Sequence, residues 1–428
     1  MASSLDGVST EDCVVIIGGG FGGLAAAAAL HKVGVPSIVL EKSRHARSEG
    51  FSIGTFTNGW RALDELGIGD ELRSAHLRLE SFTFCISSGG VLTKFEIKDC
   101  PPPPYRPDHE LRVVMREAIP RLLTEQLPPN TVHFDAGVTD VTTTPTGAEV
   151  TLESGRKLQC KFAVLADGVH SRVAAKLHKA KLEFMNDYGW RAITEIDSEG
   201  LEHPGANLGQ GNGARIGYFP VKYDAARKKA LYYWFLACSG REDEDFGDAE
   251  QQKVIMQKMV KGWNVGPFQQ LLEATPPNQI KLSKIYQRQV VAGQPWFDGC
   301  ITGVGDACHA TTPFLGQGGA IALESGVELG VFMKEAMHAE GGVPFAKLSP
   351  EAICAALRKY ETVRSERVAL VIKKSAMAWL IMGALMKVGL LKAFPLNSGN
   401  FLDHTWWEPS GTLNTTADQA KTAQHVED

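Results

Sequence analysis

Short apolar, β-branched runs alternate with Ala- and Leu-rich stretches at the start of this chain, a rhythm that predicts a parallel α/β unit. Residues 13–17 (CVVII) are an unbroken apolar run followed by glycine, which predicts a buried strand. The Ala-rich 24–33 predicts a helix closed by Gly34 and Pro36, and 37–40 a second strand. From about 82 to 95 the pattern turns to alternating β-branched and aromatic residues, halted by four consecutive prolines at 101–104. Such a run fits neither a helix nor a central strand, so it predicts a surface loop between domains. Residues 116–127 read as a helix, and 132–166 alternate as strands with turns near Gly147 and Gly155. A second strand-rich block at 188–239 carries RIGYFPV and LYYWFLAC. The chain returns to the first domain near Gly299 and is helical from there to about Phe394. The polar stretch 409–428 predicts a disordered tail.

Bulk properties narrow the partners. The chain has 428 residues, enough for two domains, and 44% hydrophobic with 22% charged residues is a globular composition. A net charge of -5 leaves no basic excess to neutralise phosphates, so nucleic acid is not expected as a partner. The eight cysteines are scattered with no C-x-x-C pair, which predicts buried free thiols, a reducing compartment and no metal. The N-terminus shows no signal or transit pattern, so a cytoplasmic protein is expected. Lysines at 373, 374 and 387 interrupt the apolar segment 368–394, too short between them to span a bilayer. It reads as a packed amphipathic helix, with weak surface contact through 375–394 as the membrane alternative.

Two segments carry chemistry. Gly18, Gly20 and Gly23 form G-x-G-x-x-G directly after a strand and before a helix, with Glu41 ending the next strand. Glycines there allow a tight turn and close approach of backbone to a pyrophosphate, and the acid reaches a ribose hydroxyl. This motif alone does not separate FAD from NAD. Residues 300–330 place an apolar strand, a Gly305-Asp306 turn, Pro313 and a glycine-rich helix start within a short span. A helix N-terminus offers N–H donors and partial positive charge to a polar ligand. The two segments together point to a flavin dinucleotide lying across both. A third strand ends in Asp167-Gly168.

This ordered set resembles the FAD-dependent aromatic hydroxylases, the single-component flavoprotein monooxygenases. It is most similar to their plant zeaxanthin-epoxidase-like and 3-hydroxybenzoate-6-hydroxylase-like branch, from about Cys13 to Val388. The resemblance implies an α/β fold: a Rossmann-like FAD-binding domain interleaved with a β-sheet substrate domain and a C-terminal helical region. The divisions expected are a flexible 1–11; 12–80, 108–180 and 296–345 for FAD; 81–107 and 181–295 for the substrate; 346–407 helical; and 408–428 as tail. Gly18, Gly20, Gly23 and Glu41, with Phe21, Gly22 and Lys42 beside them, would hold the adenosine half. Arg47 and Arg116 match arginines near the pyrophosphate and flavin. Asp167, with Gly168, would serve FAD and the nicotinamide cofactor, and Asp306 the ribityl chain. Gly316, Gly318, Gly319 and Ala320 would present the helix start to the flavin pyrimidine, and Pro313 would lie beside the reactive edge of the ring.

The sequence departs from the family pattern at Ala310, Phe314, Ala320 and Ser325. None removes a backbone donor, but Phe314 makes the active face more apolar. His309 is either an acid–base group or a turn-stabilising histidine. Tyr218, Tyr233 and Phe235, with Arg191, are candidates to line a substrate pocket, by the alternation of side chains along strands. The expected activity is a monooxygenase that consumes NADPH or NADH as a transient reductant. It would insert one atom of dioxygen into a small aromatic or alkene substrate, as a monomer or dimer. A flavin dehydrogenase or oxidase without oxygen insertion, and an inactive FAD-binding scaffold, remain the alternatives.

Overall fold

The computed structural model describes residues 5, 8–46, 52–198, 204–387 and 402–413, with side chains of 378–387 excepted. In chain order the first elements are β1 (Val14–Ile17), α1 (Phe21–Lys32), β2 (Ser37–Leu40), β3 (Ser52–Thr55), α2 (Thr57–Leu66), α3 (Gly69–Ala75), β4 (Ser81–Ile86) and β5 (Val91–Glu96). Then come β6 (Arg112–Met115), α4 (Ala118–Glu125), β7 (Val132–His133), β8 (Val138–Thr144), β9 (Gly147–Leu152), β10 (Lys157–Cys160), β11 (Phe162–Leu165) and α5 (Arg172–Leu177). The middle of the chain gives β12 (Leu182–Asp197), β13 (Gly205–Gly211), β14 (Ala214–Asp224), β15 (Lys229–Ser239), α6 (Ala249–Met259), α7 (Phe268–Ala274) and β16 (Lys281–Arg288). It closes with β17 (Ile301–Gly303), α8 (Asp306–His309), α9 (Gly318–Ala339) and α10 (Pro350–Lys387).

Five short strands form a parallel sheet in the order β17-β11-β1-β2-β7. All four residues of β1 and all four of β11 are buried, as expected where both faces of a parallel sheet are covered. Helix α1 starts at Phe21, three residues before the apolar periodicity predicts, because Gly22 and Gly23 belong to its first turn. Its alanines and the glycines of α9 let the two helices pack closely. A Cβ on Gly326 would stand 2.6 Å from that of Ala25, and one on Gly330 2.8 Å from that of Ala29.

The second sheet has seven strands, β16-β12-β15-β14-β13-β4-β5, antiparallel except where β13 runs parallel to β4. Its far face is a closed core under α6 and α7, built on Trp190, Trp234, Phe268 and Leu271. The Trp234 indole N–H is satisfied inside that core by Thr194 (2.9 Å) and Thr275 (3.1 Å). The near face turns toward the parallel-sheet domain.

Two features differ from the sequence expectation. Cys300 and Cys354 form a disulfide with Cα atoms 5.2 Å apart, where scattered spacing predicted only free thiols. The two lie 54 residues apart in sequence, and it is the docking of α10 beside β17 that brings them together. Residues 409–413, assigned to a tail by their polarity, pack on α9. Leu413 is buried, and the Ser410 N–H donates to Glu328 at 3.1 Å; residues 414–428 lie outside those described. The segment 375–394 lies mostly outside the described side chains, and among the described residues no helix is long and apolar enough to cross a membrane.

Helix α10 is fastened behind β17 through Glu361. Its carboxylate accepts from the Trp296 N–H (2.7 Å), the Phe297 N–H (3.2 Å) and the Thr302 hydroxyl (2.7 Å). Burial nonetheless outweighs these bonds and pushes the carboxyl up from 4.5 to about 7. The folded state therefore favours the protonated form. Its stabilising contribution is full below about pH 4.5 and is lost as pH rises through about 7. The Glu361→Gln protein, uncharged at every pH, should gain melting temperature relative to wild type between pH 5 and pH 8. Parallel melting curves across that range would argue against a titrating Glu361.

Candidate functional site

The first glycine loop is shaped by backbone contact. Gly18 has φ +112° and a Cβ there would stand 2.4 Å from the Ala166 carbonyl oxygen. Gly23 is tighter, with the Gly18 carbonyl oxygen 2.0 Å from where a Cβ would be. A Cβ on Gly22 would press on Val304 at 3.1 Å, whereas one on Gly20 would meet nothing within 4 Å. So three of these glycines serve the crossing of β1, β11 and β17, and Gly20 leaves an opening at the start of α1. Glu41 closes the loop from β2. Its two oxygens accept the N–H groups of Gly19 and Ser43, both at 2.8 Å.

Asp167 follows β11 on the same side. Burial raises its carboxyl, opposed by Ser171 and by the Lys42 ammonium. Its Oδ1 is buried with no hydrogen-bond partner among the described residues. Lys42 is exposed, and Gly168 takes φ +86° with open space around it. Arg47 lies outside the described residues.

Asp306 opens α8, with Gly305 before it at φ +66°. Its side chain is solvent-accessible, yet the surrounding protein still desolvates it, as in a recess rather than on a convex surface. Burial raises its carboxyl, and the guanidinium groups of Arg116 and Arg191 oppose that rise. The Arg116 guanidinium also lies 5.4 Å from the centroid of Phe21. Phe21 in turn is near Gly319, whose own Cβ position is filled by Ile53.

The near face of the seven-stranded sheet forms the opposite wall. Along β15 burial alternates strictly: Tyr232, Trp234 and Leu236 are buried on the far face, while Leu231, Tyr233 and Phe235 are only partly covered. The register places Arg191 opposite Phe235, and Gly217 and Phe219 of β14 opposite Phe235 and Tyr233. These residues share one face, extended by Phe82 and Phe84. Arg191 also hydrogen-bonds Tyr233, whose phenol is raised by burial and lowered by Arg191 and Arg116.

The structure corrects one expectation, by that register, and decides between two others. Tyr218 pairs with Trp234 and belongs to the far core, with Gly266 against its hydroxyl; it does not share a face with Tyr233 and Phe235. The pocket-facing neighbour is Phe219, which lies 6.0 Å from Tyr233 and 6.3 Å from Phe235 between ring centroids. His309 is not in the cleft. It is fully buried behind it, bonded through Nε2 to Ser325 at 2.9 Å and beside Trp296. Burial, reinforced by the Arg364 charge, lowers it to about 3, so it stays neutral and holds the turn.

The loop between α8 and α9 bridges the two walls. Pro313 is exposed, and Phe314 is half-buried with the Arg215 guanidinium 5.5 Å from its ring centroid. Arg215 shares the parity of Gly217 and Phe219 on β14 and pairs with Asp187. Phe314 is thereby held over the aromatic face. Gly316, at φ +64°, packs against Phe56, and Gly318 and Gly319 begin α9. Ala320 is buried against Gly59 of α2. The departure at Ser325 is absorbed internally, because its hydroxyl meets both His309 and Arg364.

A parallel-sheet dinucleotide fold, a tight glycine loop, an acid that closes that loop from the next strand and a second glycine-rich helix start define a flavin-dependent oxidoreductase. Residues 11–343 match the family described as "FAD binding domain". "Monooxygenase 1" of Arabidopsis thaliana is 30% identical over 333 residues, covering 74% of this chain and 77% of that protein. "Monooxygenase 2" of the same plant is 29% identical, covering 76% and 78%. The structure of Klebsiella pneumoniae HpxO complexed with FAD and uric acid superposes with a TM-score of 0.69 at 23% identity, over 91% of this chain and 97% of that one. The chain belongs to the FAD-binding domain family, and within it to the FAD-dependent monooxygenases of aromatic-hydroxylase type.

The residues present fit that cofactor. Among the described residues a Cβ on Gly20 would meet nothing, Asp167 Oδ1 is buried without a hydrogen-bond partner, Glu41 closes the loop beside them, and Asp306 offers a solvent-accessible carboxylate near Arg116 and Arg191.

Proposed function

We propose that the protein uses electrons from NADPH or NADH to insert one oxygen atom of dioxygen into a small, largely apolar aromatic or alkene substrate. The observation that carries this reading is the half-covered aromatic face of Phe219, Tyr233 and Phe235, tied to Asp306 through Arg191 and to Phe314 of the 313–319 loop through Arg215. FAD, when bound, supplies the oxygen chemistry; the protein supplies position, dryness and charge.

In this reading Gly18, Gly20, Gly22 and Gly23 give the pyrophosphate its approach, and Glu41 receives the adenosine ribose. Asp306 accepts from the ribityl hydroxyls, with Arg116 and Arg191 favouring its ionised form against the effect of burial. The first N–H groups of α9, at Gly318 and Gly319, face the pyrimidine end of the ring. There a preorganised dipole favours negative charge without reorganisation. Phe314, fixed by Arg215, covers the substrate side and excludes water. Tyr233 is the one hydroxyl that the aromatic face offers next to a guanidinium, so it can donate to a polar atom of the substrate. The chain has one dinucleotide fingerprint, so the nicotinamide cofactor binds transiently, without a Rossmann unit of its own.

Anaerobic addition of NADPH or NADH should bleach the flavin spectrum, and air should restore it. With isotopic dioxygen and a panel of phenols, indoles and terpenoid alkenes, product should carry one labelled atom. A flavin that only a substrate can reduce, with unlabelled product, would replace this reading by a dehydrogenase. A flavin that no donor reduces would leave the scaffold.

The two faces of β14 separate binding from stability. Phe219→Ala should keep the wild-type melting temperature within a few degrees and raise KM for an active substrate about tenfold or more. Tyr218→Ala should do the reverse, losing about 3 kcal/mol of stability from the far core with KM unchanged. Thermal melts and steady-state kinetics on the pair check it; a KM change confined to Tyr218→Ala would move the pocket to the other face.

A further inference from the structure

A buried polar chain runs from the C-terminal helix to the flavin-facing loop. Arg364 and Arg367 of α10 each pair with Glu324 of α9 at 2.9 Å. Their charges and the bonds to it hold the Glu324 carboxyl down to about 2 despite complete burial. Glu324 Oε1 accepts from Asn58 Nδ2 at 2.6 Å, and the same nitrogen donates to Gln317 Oε1 at 2.8 Å. Gln317 is the N-cap of α9, and its amide N–H₂ reaches the Leu315 carbonyl at 3.5 Å. Asn58, Gln317 and Glu324 are each no more than 1% exposed.

We propose that Asn58 is a positioning residue for the reaction: it locks Gln317, and through it the 315–319 turn that presents the start of α9 to the flavin. Two observations favour positioning over plain structure. Asn58 Oδ1 is buried with no hydrogen-bond partner among the described residues, a cost that an apolar side chain of similar size would avoid. Both of its hydrogen bonds, moreover, leave α2 to end on α9, one on the cap itself and one on the ion-paired Glu324. Residues 344 onward lie outside the matched family region, yet α10 supplies the two arginines that hold the near end of this chain. Ser375 of α10 adds a second tie to the same loop, bonding the Thr312 hydroxyl at 3.0 Å.

The proposal rests on the 313–319 loop facing the flavin. It is tested with Asn58→Leu, with Arg367→Met acting from α10, and with Leu272→Ala as a control for lost stability in the distant core. In FAD-free protein, amide exchange across 313–323 should quicken about tenfold in Asn58→Leu and by less in Arg367→Met. In FAD-loaded protein, Asn58→Leu should raise the FAD Kd about tenfold, the scale of one lost charge-assisted hydrogen bond. It should also shift the bound-flavin spectrum and make reduction harder, with Arg367→Met in the same direction. Leu272→Ala should lower the melting temperature without these changes. The proposal is overturned if Asn58→Leu melts early but keeps wild-type exchange, FAD affinity and spectrum, or if Leu272→Ala reproduces its effects. Should Asn58→Leu not fold, the same readouts on Arg367→Met decide. Faster exchange at 313–323 with unchanged flavin properties would instead show that the clamp exists and the loop does not face the flavin, which is failure of the underlying reading.

Discussion

Alanine at Gly23 is expected to leave no folded, flavin-binding protein. A Cβ there would stand 2.0 Å from the Gly18 carbonyl oxygen and 3.1 Å from the Ala166 Cβ. The first neighbour is backbone, so no change of rotamer relieves it, and Gly18 is itself locked against Ala166 at positive φ. Displacing that backbone separates β1 from β11 at the centre of the parallel sheet. Such a clash costs more than about 4 kcal/mol, a large share of a typical domain's total stability. Gly20→Ala is the contrasting change. Gly20 has φ -84° and extended ψ, and its Cβ would meet nothing. That variant should fold and melt as wild type but bind FAD more weakly, because the methyl enters the opening left for the pyrophosphate. Soluble yield, thermal melts and FAD stoichiometry of the two proteins check this. A Gly23→Ala protein that melts with wild type would show that the loop is looser than its geometry, and a Gly20→Ala protein with undiminished FAD affinity would move the pyrophosphate elsewhere.

The same contrast explains what the sequence made legible. The glycine fingerprint, the 37–40 strand and Glu41 are local: spacing alone places strand, turn, helix and acid, and the structure has them there. The fold class was equally open to reading, since unbroken apolar runs and alternating ones predict different sheets. What escaped depended on partners distant in the chain. Tyr218 and Phe219 are adjacent and both aromatic, and only the pairing with Trp234 and Tyr233 decides which faces the cleft. The stretch 300–330 left His309 open between an acid–base group and a turn-stabilising histidine, and only Ser325 and Trp296, closing around it from other elements, decide for the second. Asn58 carried no signal at all. It lies in an ordinary amphipathic helix, and its importance arises from two contacts 259 and 266 residues away. The Cys300–Cys354 disulfide was missed for a related reason, since no spacing rule marks a pair joined by docking of a late helix.

Asp306→Ala is expected to abolish FAD retention while leaving the fold intact. The side chain opens a short helix and is exposed to solvent, so its removal creates no cavity in packed protein. What it removes is a charged acceptor for hydroxyl donors, in a setting where Arg116 and Arg191 favour its ionised form. Losing two charge-assisted hydrogen bonds raises the FAD Kd roughly a hundredfold. Asp306→Asn keeps the shape and one acceptor, and should fall between wild type and alanine. The pH dependence has a definite sign. Burial sets the Asp306 carboxyl above 3.8, so the ionised, better-accepting form is lost as pH falls through that raised value. Wild-type affinity for FAD should therefore weaken on acidification sooner than an ordinary aspartate would allow, and Asp306→Asn should lack that limb. Flavin fluorescence titrations from pH 4.5 to 8, with thermal melts as the control for folding, measure both effects. An alanine variant that binds FAD as wild type would place the ribityl chain away from α8. The aromatic wall would then no longer lie opposite the flavin, and the proposed oxygen insertion would lose its geometry.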